Sequence, residues 1–577
     1  MAGLYGVVSA HALPAELKQL YRHFFSTGVD GTLQEEWAGP RCLFGRSVIA
    51  RFTGDRVFYQ DETFILAFEG IWYNLGSDDA AQRMIALYRR RGADFVREID
   101  GNFSGFLWDR EKGELLLFTD HLNTKPLYCF HNGDYFIFAS ELKLLSAVMP
   151  TLGLRCTPDM NGVYSLMAFG YILNGATLID GVEKLPYGTV MTLEVATMRT
   201  TIRRYFDYEA LAASPTADEA EMIERIDTLL LSGVEKQWRK DRANGYRHYL
   251  FLSGGLDSRV NTLLAQELGY APVTAITFAQ HGSDDEKIAA RIARDYGFEH
   301  RFFALDGGRF LEGDLSRFIA ANDGMNLLLG SAAGFDLISG MDHRTYGTLH
   351  TGQIGDLLFG SYVKPGFSLP QASLTRDASL FERIAWFDEV RERYEGRAEL
   401  FGYEQRVMHG TFNGDRTLSH FTDISSPFYD KALVAYCFGL PPEAKRHEGI
   451  YLKWFNARHP QIARYPWEQA GVRPTSVQRT LWGRRVKRYG TALRRRLGLF
   501  VNDMNPYDRW YRQNARLRET LDGYRERIAG VSDPQLRTAL LARFDAAQRH
   551  GHYGRYDKWI AVTILLALEL HFPEKRP

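Results

Sequence analysis

Residues 253–258 read Ser253-Gly254-Gly255-Leu256-Asp257-Ser258 and follow directly on the apolar run Tyr249-Leu250-Phe251-Leu252. Glycines after a short strand let the backbone approach a polyanion. The helical spacing of Val260, Leu263, Leu264 and Leu268 then puts a helix N-terminus, with its unpaired N–H groups, at the same point. Asp257 adds a carboxylate beside that phosphate nest, where a divalent cation is expected. The spacing is not that of the Gly-x-x-x-x-Gly-Lys-Ser/Thr loop. Leu252, Ser253, Gly254, Gly255, Leu256, Asp257 and Ser258 are therefore the candidate nucleotide-binding residues. The plain alternative is a strand–turn–helix junction in an ordinary α/β domain.

The elements around this loop form two lobes. Residues 1–207 are strand-rich, with apolar or alternating runs such as Phe64-Ile65-Leu66-Ala67-Phe68, Glu114 to Phe118 and Tyr135 to Ala139. Turn residues at His131-Asn132-Gly133-Asp134 and Tyr187-Gly188 fit hairpins. From about residue 217 the period becomes helical, with Met222, Ile226, Leu229, Leu230 and Val234 on one face. The loop strand, a helix around Leu263, the strand Val273 to Phe278 and a helix over Asp284 to Tyr296 follow. That β-α-β-α order predicts a parallel sheet with its ligand at the strand C-termini.

Length and composition narrow the class. A chain of 577 residues holds two to four domains. Lys+Arg and Asp+Glu both number 70, so no global charge points to nucleic acid. The four cysteines, Cys42, Cys129, Cys156 and Cys437, are scattered, which suits neither a zinc site nor a disulfide framework. No signal pattern is read at the N-terminus, and the apolar run Trp559 to Leu568 is too short to span a bilayer. A cytoplasmic location is the default expectation. Residues 482–497 place Trp482, Val486, Tyr489, Leu493 and Leu497 on one helical face, with Arg484, Arg485, Lys487, Arg488, Arg494, Arg495 and Arg496 around the remainder. Such a helix suits an anionic partner or peripheral membrane contact. The commoner arrangement packs the apolar face on the domain and leaves the basic face in water.

Several further segments carry a resemblance. They are Asp100 to Asp109 (DGNFSGFLWD), Thr119 to Tyr128 (TDHLNTKPLY), Phe138 to Lys143 (FASELK), Gly352 to Tyr362 (GQIGDLLFGSY) and Ser426 to Asp430 (SPFYD). With the SGGLDS loop, which resembles the pyrophosphate loop of enzymes that cleave ATP to AMP and pyrophosphate, they resemble the asparagine synthetase family over roughly residues 1–470. The resemblance implies an N-terminal nucleophile-type αββα sandwich over residues 1–207. Residues 208–577 would form a doubly wound parallel-sheet ATP pyrophosphatase domain with a helical C-terminal part. It implies ATP and Mg²⁺ as cofactors. Asp257 and Asp356 would hold the metal, with a turn Asp between glycines as the alternative for Asp356; Gly352 would pass close to the nucleotide, and Phe278 would flank adenine or serve as plain core. Lys453 and Arg473, outside the aligned motifs, are candidates for the cation on the leaving pyrophosphate, with surface solvation as the alternative role for each; Lys453 is taken as catalytic.

The departures from the family pattern are as informative. The family's glutaminase needs a cysteine at position two, with the thiol as nucleophile and the α-amine as base. This chain has Ala2 there. Glu69 stands where the family has an amide for the glutamine pocket, while Ser77-Asp78 still matches the glutamine-binding pair. An engineered cysteine-to-alanine change explains Ala2 but not Glu69; a naturally inactive glutaminase explains both. Gln353 stands where asparagine synthetases usually carry Glu, and Leu357 replaces a second acid.

The expected function is an AMP-forming carbon–nitrogen ligase acting on a small-molecule or peptide carboxylate that carries its own amine. Lactam synthesis or lasso-type macrolactam closure would be such a reaction, with a precursor-processing protein as partner in the peptide case. Amidation of aspartate or a sugar uronic acid by ammonia or glutamine is the second reading. A non-catalytic nucleotide-binding scaffold is the third.

Overall fold

The computed structural model describes residues 3–25, 32–52, 54–55, 57–74, 79–211, 218–330, 332–375, 377–497, 499, 503–546 and 556–573. Ala2 and the Ser77-Asp78 pair lie outside the described residues.

The first lobe is two six-stranded sheets face to face. One runs, edge to edge, Val182–Lys184, Tyr128–His131, Tyr135–Ala139, Gly3–Ser9, Cys42–Ile49 and Thr32–Ala38. The other runs Arg199–Arg204, Thr189–Glu194, Glu114–Thr119, Gly101–Asp109, Phe64–Trp72 and Phe58–Gln60. The period-2 pattern of the strands explains the layering. Leu4 and Val8 meet Ile65, Ala67 and Phe106 between the sheets. The alternate residues Phe64, Leu66, Phe68 and Trp72 face Met84, Ile85 and Tyr88 of the helix Ala80–Arg91. On the opposite side Tyr5 and Val7 join the core that contains Leu144, Leu145 and Val148 of the helix Leu142–Thr151. The result is the expected αββα sandwich. At the hairpin predicted at 131–134, Asn132 Oδ1 accepts from the N–H groups of Asp134 and Tyr135 at 3.0 and 2.7 Å.

The second lobe is built on a five-stranded, all-parallel sheet. Its order is Glu299–Ala304, Val273–Ala279, Arg247–Phe251, Tyr346–His350 and Ile424–Ser425. Numbered along the chain this is 3-2-1-4-5, so the winding reverses between Arg247–Phe251 and Tyr346–His350. In open α/β sheets ligands bind in the crevice at such a reversal. The predicted helix at Asp284–Tyr296 forms with those bounds, capped by Ser283 and ended at Gly297 in the left-handed conformation. The Trp559–Leu568 run lies in the buried helix Asp557–His571, and no described helix is long and apolar enough to cross a membrane.

The lobes are joined by buried polar links. Arg51 donates to the carbonyls of Tyr346 and Gly347 at 2.7 and 2.9 Å and of Phe421 at 2.8 Å. Lys125 pairs with Asp423 at 3.0 Å and Lys240 with Asp55 at 2.7 Å. His121 Nε2 lies 2.8 Å from the Tyr429 carbonyl oxygen.

The basic segment forms the helix Val477–Arg496, oriented opposite to the commoner arrangement. Thr480, Gly483, Arg484 and Lys487 face the domain, and the apolar stripe faces outward. Two features set this orientation. Gly483 sits so close that a Cβ there would stand 2.5 Å from both the Ala470 carbonyl oxygen and Val472. Arg484 makes a paired contact with the buried Glu448 at 3.0 and 3.1 Å, and Lys487 reaches Asp284 at 2.5 Å. A buried carboxylate needs its cation more than an exposed leucine needs cover.

Candidate active site

The loop Ser253–Ser258 leaves the first strand at the reversal point. Ser258 Oγ accepts from the Ser253 N–H at 3.2 Å, and Ser253 Oγ accepts from the Gly255 N–H at 3.1 Å. These bonds fix the turn before the helix Leu256–Glu267 begins. The buried Arg259 holds it from below. Its guanidinium donates to the carbonyls of Gly254, Ile462, Tyr465 and Pro466 at 2.7–3.1 Å. Asp285, from the next strand–helix turn, accepts the Gly254 N–H at 3.0 Å.

The loop after Tyr346–His350 meets it from the other side. Gly352 lies so close that a Cβ would fall 2.2 Å from the Ser258 nitrogen and 2.3 Å from the Asp257 carbonyl carbon. A Cβ on Gly355 would fall 2.6 Å from the Asp257 carboxyl carbon. Ile354 takes φ 61°, a costly conformation for a β-branched residue, which turns the chain into the short helix Gly355–Leu358. Asp356 donates its N–H to Asp257 Oδ2 at 2.9 Å, and the Tyr451 hydroxyl donates to Asp257 Oδ1 at 3.1 Å. The exposed Asp356 carboxylate accepts from Ser361 Oγ at 3.1 Å.

A cavity of about 390 Å³ opens above both loops. The whole Ser253–Ser258 turn except Gly254 lines it, with Leu252, Phe278, Gly352 and Asp356. Phe278 packs against Phe251 with ring centres 5.1 Å apart and presents an apolar wall. The opposite wall adds Glu448, Tyr451, Trp467, Gln469 and Met504. The electrostatics are one-sided, since none of the described lining residues is Lys or Arg, whereas Asp257, Asp285, Asp356 and Glu448 all line it. Burial, and then the Asp356 charge, pushes the Asp257 carboxyl well above the usual carboxylate range. Burial, and then Asp285, pushes Glu468 beneath the loop up to about 7.

The donor set fits magnesium. The Asp356 charge and burial raise the cost of ionising Asp257, and an all-oxygen pair open to solvent on the Asp356 side is what a hard divalent cation takes. Asp257 and Asp356 would hold it, and it would supply charge neutralisation to phosphate oxygens.

Lys453 is not at the site. It pairs with Glu219 on the exposed surface. The reason is helical geometry: two residues along a helix turn the side chain by about 200°, so with Tyr451 facing the cavity Lys453 faces away. Arg473 is likewise exposed and does not line the cavity. Leu357 is buried in the core rather than in the cavity.

Sequence reading missed a polar cluster that adjoins the cavity through one lining residue, Gln353. The lining residue Gln353 donates through Nε2 to Asp415 at 2.7 Å, and the Tyr429 hydroxyl bonds to Gln353 Oε1 and, at 3.4 Å, to Asp415. Burial pushes the Asp415 carboxyl up to about 7. Tyr429 lies in the SPFYD segment, which carried a signal; Asp415 sits mid-helix and carried none.

In the first lobe Glu69 is 1% exposed and committed elsewhere. Its Oε2 accepts from Ser140 Oγ at 2.8 Å, and its Oε1 pairs at 3.3 Å with Arg416 from the second lobe. Arg416 also meets Glu141 at 3.2 Å.

A family model described as a glutamine amidotransferase domain matches residues 1–206, and one described as asparagine synthase matches residues 225–456. A Methanocaldococcus jannaschii protein provisionally named glutamine-hydrolyzing asparagine synthetase 2 is 26% identical over 333 residues, which cover 54% of this chain and 62% of that protein. Asparagine synthetase B of Escherichia coli K12 is 24% identical over 275 residues, 42% of each chain. A Gibberella zeae protein named amidase chry2 is 25% identical over 250 residues, 40% of this chain and 35% of that one. The matches thus span less than two thirds of these relatives' own length. Two matched halves in family order, on an αββα lobe and a parallel-sheet lobe whose two signature loops meet, make this chain a member of the asparagine synthetase family.

Proposed function

We propose that the protein is an ATP-dependent amide ligase that activates a carboxylate as an acyl-adenylate and passes the acyl group to an amine on the same substrate. The substrate carboxylate oxygen attacks the α-phosphorus of ATP, and the bond to the bridging oxygen breaks to release pyrophosphate. The amine nitrogen then attacks the acyl carbon, the acyl–oxygen bond breaks, AMP leaves with the electron pair and the amine loses a proton. The observation that carries this reading is the meeting of the Ser253–Ser258 and Thr351–Asp356 loops at the sheet reversal, with two carboxylates beside a helix N-terminus. A nucleotide-binding scaffold has no use for two acids placed for a metal. The test is the nucleotide product formed with ATP, Mg²⁺ and candidate substrates bearing both groups. AMP with pyrophosphate is expected, and ADP as sole product would remove the adenylation mechanism.

The substrate-borne amine is supported by Glu69. A glutaminase must stabilise an oxyanion, and a buried carboxylate tied to Arg416 opposes that charge. No glutamate is expected from glutamine above a no-enzyme control, and Ala2→Cys alone is expected to leave that unchanged because Glu69 persists. Robust glutaminase activity in that variant would contradict the reading. Product mass separates the remaining possibilities. Lactam closure loses one water, about 18 Da, whereas incorporation of labelled ammonium nitrogen would favour amidation with ammonia, both by the stoichiometry of acyl transfer.

Asp415 suits the proton acceptor for the amine, because a base works best with a pKa near the operating pH. Its charged form is the active one, so amide formation falls as pH drops through about 7. Asp415→Asn is expected to slow amide formation by about a hundredfold or more, within the range for general-base removal. Carboxylate-dependent ATP–pyrophosphate exchange should stay within severalfold of the parent. Equal loss of both steps would instead make Asp415 structural.

A further inference from the structure

We propose that the outward face of the helix Val477–Arg496 is a docking surface for an anionic lipid bilayer. Trp482, Val486, Tyr489 and Leu493 are 60%, 50%, 70% and 58% exposed, and Leu497 and Leu499 just beyond are equally open. These six make up most of the large hydrophobic side chains exposed among the described residues. At about 100° per residue the stripe is continuous along the helix. Arg479, Arg485, Arg488, Arg494 and Arg496 are exposed around it.

The helix carries Lys or Arg at 479, 484, 485, 487, 488, 494, 495 and 496 and no acidic residue, in a chain whose formal net charge is zero. The rest of the chain carries 62 Lys and Arg against 70 Asp and Glu, so this helix is a local basic stretch on a net acidic remainder. Charge complementarity selects an anionic surface. The stripe decides between kinds of surface: nucleic acid has no use for a row of Trp, Val, Tyr and Leu, whereas a bilayer takes such a face several ångströms into its headgroup region. Trp and Tyr rings favour that depth. The helix cannot roll to bury the stripe, because Gly483, Arg484 and Lys487 fix its other side to the domain.

The placement ties the surface to the site. Arg484 lies over the Trp467 ring at 4.4 Å and holds Glu448, and both of those residues line the cavity. A docked bilayer would therefore lie about one helix diameter, ~10 Å, from the cavity wall.

The test is co-sedimentation of the full chain with vesicles of phosphatidylcholine alone and of an equal mixture with phosphatidylglycerol. Binding to the mixed vesicles only, weakening as salt rises, is expected. Val486→Asp and Leu493→Asp, both at exposed positions, should each weaken it by about tenfold or more. Arg485→Glu with Arg488→Glu should do the same through the lost attraction to lipid charge. ATP–pyrophosphate exchange without lipid should be unchanged in all of them, which separates failure of docking from failure of the proposed chemistry. Absence of binding to the mixed vesicles would overturn the proposal. So would binding insensitive to Val486→Asp, or a lipid-free dimer that the same substitution dissociates, since the stripe would then serve a second copy of the chain.

Discussion

Asp257→Asn and Asp356→Asn are each expected to lower turnover at saturating ATP and Mg²⁺ by about a thousandfold, because loss of a metal-binding charge removes several kcal/mol of transition-state stabilisation. The fold should not suffer. Asp257 sits among groups that donate to it, the Asp356 N–H and the Tyr451 hydroxyl, and an asparagine keeps one oxygen to accept one of them. Its ionised form is disfavoured in the folded protein by burial and by Asp356, so neutralising it relieves repulsion. The metal-free Asp257→Asn protein is therefore expected to melt at the parent temperature or slightly above it. The double variant should lose little more activity than either single one, as for residues that act as a unit. Turnover near the parent value in either single variant would remove the metal assignment.

Arg416→Ala is the substitution expected to cost most in stability. Arg416 is buried between Glu69 and Glu141 of the first lobe, and removing it leaves the buried Glu69 without its cation, while Glu141 keeps Lys143. Breaking a buried ion pair from one side costs about 3–5 kcal/mol. Urea denaturation measures it, and a loss below about 1 kcal/mol would mean that water already reaches the pair. Combining Arg416→Ala with Glu69→Gln should recover part of the loss, since one unpaired charge is gone. Deleting residues 1–207 is the same experiment at full scale. It would strip the partners of Asp423, Arg416 and the Tyr346, Gly347 and Phe421 carbonyls together with a shared apolar core, and insoluble protein is expected.

The Ser253–Ser258 turn, its flanking strand and helix, and the Asp284–Tyr296 helix were legible in the sequence because each is specified locally by periodicity, glycine and a cap. Gly352 and Asp356 were legible only through the family resemblance. Asp285, Tyr451 and Met504 reach the same cavity from segments that no local pattern connects to it; parallel strand order places Asp285 there, and tertiary packing outside the sheet places the other two. Lys453 failed for a related reason, since a residue type near a motif says nothing about which way its helix turns it. The Val477–Arg496 helix shows the same limit. Its two faces were plain in the sequence, but which one meets the domain was decided by Gly483 and by Glu448, some thirty-five residues away in the chain.

The close approach of Gly352 and Gly355 to the Asp257–Ser258 backbone bears on where the cavity could open. With no room even for a Cβ between them, the two loops are packed as one floor beneath the cavity. Any opening around a ligand would then fall to the lining residues Trp467, Gln469 and Met504, which come from chain segments outside the sheet. In the proposed ligase, product release would then be timed by those segments rather than by the two loops.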